Sequence, residues 1–196
     1  MQHRSDFSSW HRPRNQALSI PDIRIETERL ILRPPIQEDF NAYAANMADH
    51  EASHFIGGPQ TRAVAWRGFL SLAGAWMIQG FSMFSVIEKA SGRWIGRLGP
   101  WHPEGWPGTE VGWGLVREAW GKGYAYEGSV AAIDWAFEHL GWREVIHSIN
   151  TDNYASQELA KRLGSQLRGP AQLPPPYENI TVGIWAQTRE QWMQRK

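Results

Sequence analysis

The chain has 196 residues, with 20 basic and 20 acidic side chains, 12 tryptophans and no cysteine. The balanced charge offers no broad basic surface for nucleic acid or an acidic membrane. The lack of cysteine excludes disulfides, thiolate metal sites and a cysteine nucleophile.

Residues 1–19 carry Ser, Arg, Pro and Gln without periodicity, and we interpret them as a flexible arm. The remaining residues, 20–196, predict one domain that is large enough for a hydrophobic core. The first residues lack the apolar stretch of a secretory signal, and no apolar run is long enough to span a bilayer. Together with the absence of disulfides, this predicts a cytoplasmic protein.

The first half of the chain combines strand and helix patterns. We expect strands over residues 24–33, 81–88 and 94–98, and helices over residues 37–49 and from Thr61 to about residue 79. The period of the second helix places six apolar residues toward the core: Trp66, Phe69, Leu70, Ala73, Trp76 and Met77. Residues 99–109, rich in proline and glycine, predict a loop.

The second half begins with a strand from residue 110, a glycine turn and a helix that ends at Gly141. A strand over 144–149, a helix over 154–163 and strands over 166–168 and 180–186 follow. The order β-α-α-β-β-β-α-β-α-β-β predicts an α/β (α+β) domain, a mixed sheet with helices on its faces.

Residues 110–127 carry the most informative pattern in the chain. Val111, Trp113 and Leu115 alternate as in a half-buried strand, and a turn containing Gly121 and Gly123 leads directly into a helix. Free N–H groups at a helix N-terminus suit an anion such as a diphosphate, and glycine lets that anion approach the main chain. The sequence therefore indicates an anion site at this turn.

Four segments in this order resemble the GNAT superfamily of acetyl-CoA-dependent N-acetyltransferases, and most closely its RimJ/RimL-like, ribosomal-protein-acetylating branch. The segments are residues 26–33 with Asp39-Phe40, residues 87–96, residues 110–127 and residues 153–164. The resemblance covers roughly residues 24–186. It implies a mostly antiparallel central sheet, acetyl-CoA as co-substrate and an amine acceptor, which could be a protein N-terminus or a small molecule such as an aminoglycoside or polyamine.

The resemblance also implies which residues hold the co-substrate. Main-chain groups of Leu115 and Val116 would bind the pantetheine arm, and the turn would hold the diphosphate. The implied set is Leu115, Val116, Trp120, Gly121, Lys122, Gly123, Tyr124, Ala125, Asn153 and Ser156. The chain departs from the family pattern twice: Trp120 stands where Arg or Gln is usual, and Ala160 stands where many relatives have a tyrosine that protonates the leaving thiolate. Ser156 is then the candidate for that role.

Transfer to an amine requires a group that accepts its proton, and Glu110 is our candidate base, acting through water. A main-chain N–H near Leu115 could stabilise the oxyanion. Without cysteine, direct attack on the thioester is expected. Two alternatives stay open: Glu110 could belong to a surface ion pair, and Ser156 could cap its helix.

Other features also have two interpretations. Tyr154, Tyr177 and Glu178 could line the acceptor cleft or be ordinary surface residues, and Lys161 and Arg162 could meet the 3′-phosphate or be solvated. His147 is expected to be a core or cleft-wall residue. A homodimer is compatible with the sequence, and a non-catalytic acyl-CoA-binding module is an alternative function.

A zinc peptidase is a third reading, because His50, Glu51 and His54 form an H-E-x-x-H pattern. The longer form of that pattern needs a third histidine where this chain has Gln60, and residues 55–59 would end the helix. We therefore expect no metal site.

Overall fold

An eight-stranded sheet runs through the protein in a computed structural model that describes residues 20–195. The strands are β1 Ile25–Glu26, β2 Leu30–Arg33, β3 Phe84–Glu88, β4 Trp94–Trp101, β5 Glu110–Leu115, β6 Glu144–Asn150, β7 Gln166–Gln172 and β8 Thr181–Thr188. Their spatial order is β1-β2-β3-β4-β5-β6-β8-β7. Every neighbouring pair is antiparallel except β5 and β6, which are parallel. The predicted mixed, mostly antiparallel sheet is confirmed. The predicted arm, residues 1–19, lies outside the described residues.

The α-helices of the described chain are α1 Phe40–Ala48, α2 His50–Ser53, α3 Arg62–Gln79, α4 Tyr124–His139, α5 Tyr154–Arg162 and α6 Arg189–Gln194. Thr61 caps α3 as predicted, since its hydroxyl accepts from the Val64 N–H. Helix α6 was not predicted, although Thr188 and Gln191 form a reciprocal capping box that its sequence spacing encodes. No helix within residues 20–195 is long and apolar enough to cross a bilayer.

The single strand expected over residues 24–33 is instead a hairpin of β1 and β2. The Thr27 N–H donates to the Leu30 carbonyl at 3.0 Å, and the Leu30 N–H donates to the Thr27 hydroxyl at 3.0 Å. A threonine side chain that bonds its own neighbourhood can turn the backbone without glycine or proline, so the usual sequence signal is missing. Strand β4 also runs three residues further than expected, to Trp101.

The inward face of α3 was only partly predicted. Phe69 and Trp76 are buried as expected, but Trp66, Leu70 and Met77 are each more than a third exposed. The buried residues that the prediction missed are Ala65 and Leu72. Apolar side chains surround most of this helix, so hydrophobic periodicity could not select the face that meets the sheet.

Two hydrophobic cores lie on opposite faces of the sheet. One contains α4, with Ile133 and Phe137, and sheet residues such as Leu98 and Val111. The other contains α1 and α3, with Phe40 and Phe69 among its members. Because side chains alternate along a strand, Val111 and Leu115 face α4, whereas Glu110 and Gly112 face the opposite side. The two cores therefore fix the orientation of every side chain on β5.

A buried carboxylate ties the end of β2 to the start of α1. Both terminal nitrogens of the Arg33 guanidinium donate to Asp39 at 2.7 Å, and the Ser85 hydroxyl donates to the same carboxylate at 2.7 Å. The Ile36 N–H donates to it at 3.0 Å. Bidentate, charge-assisted bonds of this kind are strong and directional. Arg33 and Asp39, part of the first recognised segment, are thus structural residues.

Asp39→Asn should lower the free energy of unfolding by about 3 kcal/mol, because it leaves the partly buried Arg33 without its counter-ion. Urea denaturation with an unchanged m-value would measure this loss. Glu26→Gln is the control, since it removes an exposed ion pair with Lys89 that contributes little. Equal losses in the two variants would contradict a special role for Asp39.

Candidate active site

Strands β5 and β6 separate almost as soon as they meet. Their ladder consists of one register pair, Glu110 with Ile146. Beyond it, His147 Nδ1 lies 2.7 Å from the Val111 carbonyl oxygen, where a continuing sheet would place a main-chain N–H. Since a carbonyl only accepts, Nδ1 carries the proton. A side chain therefore replaces the next strand contact and holds the two strands apart.

The rest of the imidazole is also bonded. Nε2 lies 3.1 Å from the Ser165 hydroxyl, which in turn accepts from the Gln187 amide at 2.9 Å. Burial lowers the pKa of His147 to about 4, although the bond to Val111 opposes the shift. The ring is therefore neutral near pH 7. His147 is both a core and a cleft-wall residue, as the sequence indicated.

The separated edge of β5 exposes main-chain groups. The Val116 N–H donates to the Ile95 carbonyl on the β4 side at 2.9 Å, and the Val116 carbonyl accepts from the Ala119 N–H at 3.0 Å. Successive residues of a strand direct their N–H groups to opposite sides, so Trp113 and Leu115 direct theirs toward the cleft. The Leu115 N–H faces the cleft while its carbonyl accepts from the Trp120 indole at 2.9 Å. Both main-chain groups of Val116 have partners inside the protein.

The turn after β5 forms a concave set of donors. Gly121 and Gly123 have φ angles of 72° and 81°, a region that favours glycine. Helix α4 begins directly at Tyr124, and no side chain caps it among the described residues. Its first N–H groups therefore have no intrahelical acceptor. A Cβ on Gly121 would meet no atom within 4 Å, so the approach is open. This donor set fits a diphosphate.

Arg29 is a residue at this turn that the sequence analysis missed. Its guanidinium donates to the Lys122 carbonyl at 2.9 Å and to Glu127 at 2.7 Å. Although partial burial opposes it, hydrogen bonds from Thr27 and Arg29 hold the pKa of Glu127 below its ordinary value. Arg29 and Glu127 both lie in recognised segments, but nothing in the sequence signalled that they meet across 98 positions.

A groove of about 390 Å³ runs from this turn along the free edge of β5. All of the predicted co-substrate residues line it except Val116 and Lys122, whose side chain is exposed. Trp120 lines the groove, and its indole N–H donates to the Leu115 carbonyl at 2.9 Å. Arg162 also lines it and lies over the Tyr126 ring, whereas Lys161 pairs with Glu158.

A second cavity, of about 160 Å³, shares a boundary with this groove. Its walls include the aromatic side chains Phe55, Trp101, Trp106, Trp113 and Tyr177, and its polar lining includes Arg97 and Glu110. Tyr177 is placed as expected for a cleft residue. Tyr154 and Glu178 do not line this cavity, and Tyr154 is 72% exposed.

The two cavities meet at Trp113, Asn153 and Ser156. The Asn153 side chain caps α5 by accepting from the Ser156 N–H at 3.1 Å. The Trp113 indole N–H lies 3.1 Å from the Ser156 hydroxyl oxygen. An indole N–H can only donate, so the Ser156 oxygen accepts and its own proton stays available. The capping role that the sequence left open for Ser156 belongs to Asn153.

Glu110 is buried in the second cavity rather than paired on the surface. Its carboxylate accepts from the Trp106 indole at 2.5 Å, and a Cβ on Gly112 would lie 3.1 Å from its other oxygen. Burial raises the pKa of Glu110 to about 7, although the Trp106 and Ser148 hydrogen bonds and the Arg97 charge oppose it. A carboxyl group with this pKa can accept or release a proton near neutral pH.

Ala160, at the position where many relatives have tyrosine, is fully buried beside Ile149 and Trp185. The H-E-x-x-H segment forms only the short helix α2. Glu51 there pairs with Arg117 at 3.3 Å. Within residues 20–195, no group of three or more His, Asp or Glu side chains is placed to share a metal ion. The geometry gives the zinc peptidase interpretation no support, and the segment instead forms part of the groove wall.

Comparison with known proteins agrees with this architecture. The family model "Acetyltransferase (GNAT) domain" matches residues 29–166. The chain is 29% identical to an uncharacterized N-acetyltransferase, p20, of Bacillus licheniformis, over 73% of this chain and 82% of that protein. An acetyltransferase structure from Agrobacterium tumefaciens matches with a TM-score of 0.76 and 32% identity, covering 89% of this chain and 98% of that one.

A ribosomal-protein-S5-alanine acetyltransferase from Vibrio fischeri shares the fold at a TM-score of 0.69 and 20% identity, over 87% of this chain and 99% of that one. At that identity the match concerns the fold alone, so the ribosomal-protein-acetylating branch stays a prediction. The family match itself covers most of the chain and includes the glycine turn, β5 and the start of α5. The chain belongs to the GNAT family and is an acetyl-CoA-dependent N-acetyltransferase.

Proposed function

We propose that this enzyme moves the acetyl group of acetyl-CoA directly to a primary amine, with Glu110 as the base and Ser156 as the hydrogen-bond donor to the departing sulfur. One observation carries the proposal: two cavities meet at Trp113 and Ser156, one of them ending at the glycine turn and the other containing Glu110. The acetyl-CoA thioester supplies the activated acyl group. The protein's own residues then have to position the amine and move protons.

The amine side of the reaction needs a proton acceptor. An alkylammonium loses one proton before it can attack and a second as the C–N bond forms and the C–S bond breaks, while the sulfur regains one. Glu110 borders the space that an amine would occupy, and its pKa of about 7 matches a base working near neutral pH. Its burial also removes competing water, which strengthens the interaction with a cation.

The sulfur side needs a donor, and the buried Ala160 supplies none. The Ser156 hydroxyl is oriented by the Trp113 indole, and its proton is free for a partner at the junction. The N–H groups of Trp113 and Leu115 face the same cleft and are available to a developing oxyanion. We assign most of the rate enhancement to the positioning of amine and thioester in adjoining cavities.

The proposed acceptor is a primary amine. Both a protein N-terminus and a small molecule can supply such an amine to the thioester. A cytoplasmic location and a homodimeric assembly stay predictions from the sequence. Two exposed apolar residues of α3, Leu70 and Ile78, would be natural positions for probing such a dimer.

Glu110→Gln should lower kcat/KM by about 100-fold or more, because general-base catalysis typically contributes that much. The wild-type rate should rise with pH through about 7, as Glu110 loses its proton, and the variant should lack this limb. Thiol release measured with a fixed amine would report both effects. Glu118→Gln, on the exposed turn after β5, is the matched control. An unchanged pH limb in Glu110→Gln would remove Glu110 from the base role.

The same carboxyl group should affect stability. Because its folded pKa is about 7 and its ordinary value 4.5, its contribution is fully present below about pH 4.5 and is lost as the pH rises through 7. The pKa of His147 is lowered from 6.5 to about 4, so this residue contributes stability above pH 6.5 and loses that contribution as the pH falls through 4. Between pH 4.5 and 6.5, rising pH therefore lowers stability through Glu110 and raises it through His147.

Glu110→Gln should therefore leave only the His147 contribution to the pH dependence of stability, so that the variant becomes more stable as the pH rises across this window. The free energy of unfolding of the wild-type protein should change little with pH in this window. The variant's change should differ from it by about 3 kcal/mol at most. Urea unfolding at closely spaced pH values measures it. Parallel wild-type and variant profiles would contradict the raised pKa.

Gly121→Val should weaken CoA binding by at least about tenfold, since the added side chain would fill the open approach to the turn. Gly141→Val is the control, because Gly141 has a similar φ of 65° and equally open surroundings but lies outside the groove. Both variants carry the same backbone strain. Calorimetric titration with CoA would distinguish them, and equal affinities would place the diphosphate elsewhere.

A further inference from the structure

The second cavity contains a cation that no carboxylate of the described residues contacts directly. Three arginines of the described chain are partly buried: Arg29, Arg33 and Arg97. Arg29 pairs with Glu127 and Arg33 with Asp39, each at 2.7 Å. Arg97 forms no ion pair with any carboxylate in residues 20–195. Guanidinium groups stay charged inside proteins, and charges removed from water are normally paired.

The contacts that Arg97 does make are weak. Its terminal nitrogen lies 2.7 Å from the Met83 sulfur, and a thioether is a poor acceptor. Its Nε is buried and has no hydrogen-bond partner among the described residues. Since leaving a buried charged donor unsatisfied is costly, the arrangement is typical of a group that completes its bonding with a ligand. Arg97 lines the same cavity as Glu110.

We infer that the acceptor is a small amine that also carries a carboxylate, as a free amino acid does, and that Arg97 binds this carboxylate. The inference rests on the proposed function, because it places the amine at Glu110 in the same cavity. A guanidinium presents its donors in a fork that matches a carboxylate. One arginine among aromatic walls balances one negative charge, which favours a carboxylate over a doubly charged phosphate.

The cavity also disfavours the other small amines. An aminoglycoside, like a polyamine, carries more than one ammonium group near neutral pH. A polyamine would bring a second cation toward Arg97, and like charges in a cavity of low dielectric repel strongly. Arg97 is therefore a specificity-determining residue for an acceptor that is positive at one end and negative at the other.

The test compares matched acceptors that differ only in the carboxylate, namely leucine with leucinamide and phenylalanine with phenylalaninamide, at saturating acetyl-CoA. The wild-type enzyme should favour each acid over its amide. Arg97→Met should lower kcat/KM for the acids by 10- to 100-fold and change it for the amides by less than about threefold. Arg97→Lys should recover part of the acid activity. Arg93→Met, an exposed arginine just before β4, is the control and should change neither.

A different role for Arg97 would give a different result. Loss of the Arg97 charge should raise the pH–rate limb for both acceptor types, because that charge lowers the pKa of Glu110. If Arg97 acts only in this way, Arg97→Met would leave the ratio of acid to amide activity unchanged at every pH, and this outcome would overturn the inference. An equal loss for both acceptor types would do the same. Thermal melting of each variant with CoA controls for misfolding.

Calorimetric binding of leucine and leucinamide to the CoA complex separates this inference from the proposed function. Acid-selective binding that depends on Arg97, without turnover of any amine, would overturn the transfer chemistry and support the carboxylate site. Efficient turnover of amides and of peptide N-termini without an Arg97-dependent preference would support the transfer chemistry and overturn the carboxylate site.

Discussion

The bond between the His147 imidazole and the Val111 carbonyl governs the functional half of this protein. Parallel strands normally continue their ladder with evenly spaced main-chain bonds. Here a side chain occupies the position after the only register pair, and β5 and β6 diverge. The ring can do this because Ser165 and Gln187 satisfy its other nitrogen inside the protein. The free edge of β5 and both cavities depend on that separation.

The separated strands bring together groups from both faces of the sheet. Glu110 and Trp113 alternate on β5, so they point to opposite faces, yet both line the cavity that opens between the strands. On the α4 side, Trp113 reaches Ser156 at the start of α5. On the other side, burial raises the pKa of Glu110, although its hydrogen bond from Trp106 opposes the shift. The cleft thus combines an anion-binding end with an end where a buried carboxyl group has a raised pKa.

Several of the recognised sequence segments turn out to be structural. Thr27 and Arg29 bind Glu127 and thereby hold the hairpin against the N-terminus of α4, where the glycine turn lies. Arg33 and Asp39 fix the start of α1 on the other face. These ion pairs do not contact the reacting groups, but they set the position of the turn and the start of α1.

The sequence by itself determined the order of the elements, the glycine turn before α4 and the candidacy of Glu110 and Ser156. The element order and the turn follow from hydrophobic periodicity, helix caps and glycine turns, which act over a few neighbouring residues. The candidacy of Glu110 and Ser156 depended on the resemblance to the GNAT superfamily. The capping box of α6 is also a local signal, whereas the Thr27 hairpin turns without glycine or proline. The buried face of α3 was beyond reach, since an evenly apolar helix does not reveal which side meets the sheet.

Only the tertiary structure decided which distant residues meet. The pKa of Glu110, the role of Asn153 rather than Ser156 as the α5 cap, the contact of Arg29 with the glycine turn and the unpaired state of Arg97 all depend on such contacts. Burial and charge pairing are properties of three-dimensional neighbourhoods, and no local pattern encodes them. The sequence specified the chemical groups, and the fold gave those groups their acidity, their partners and their access to a ligand.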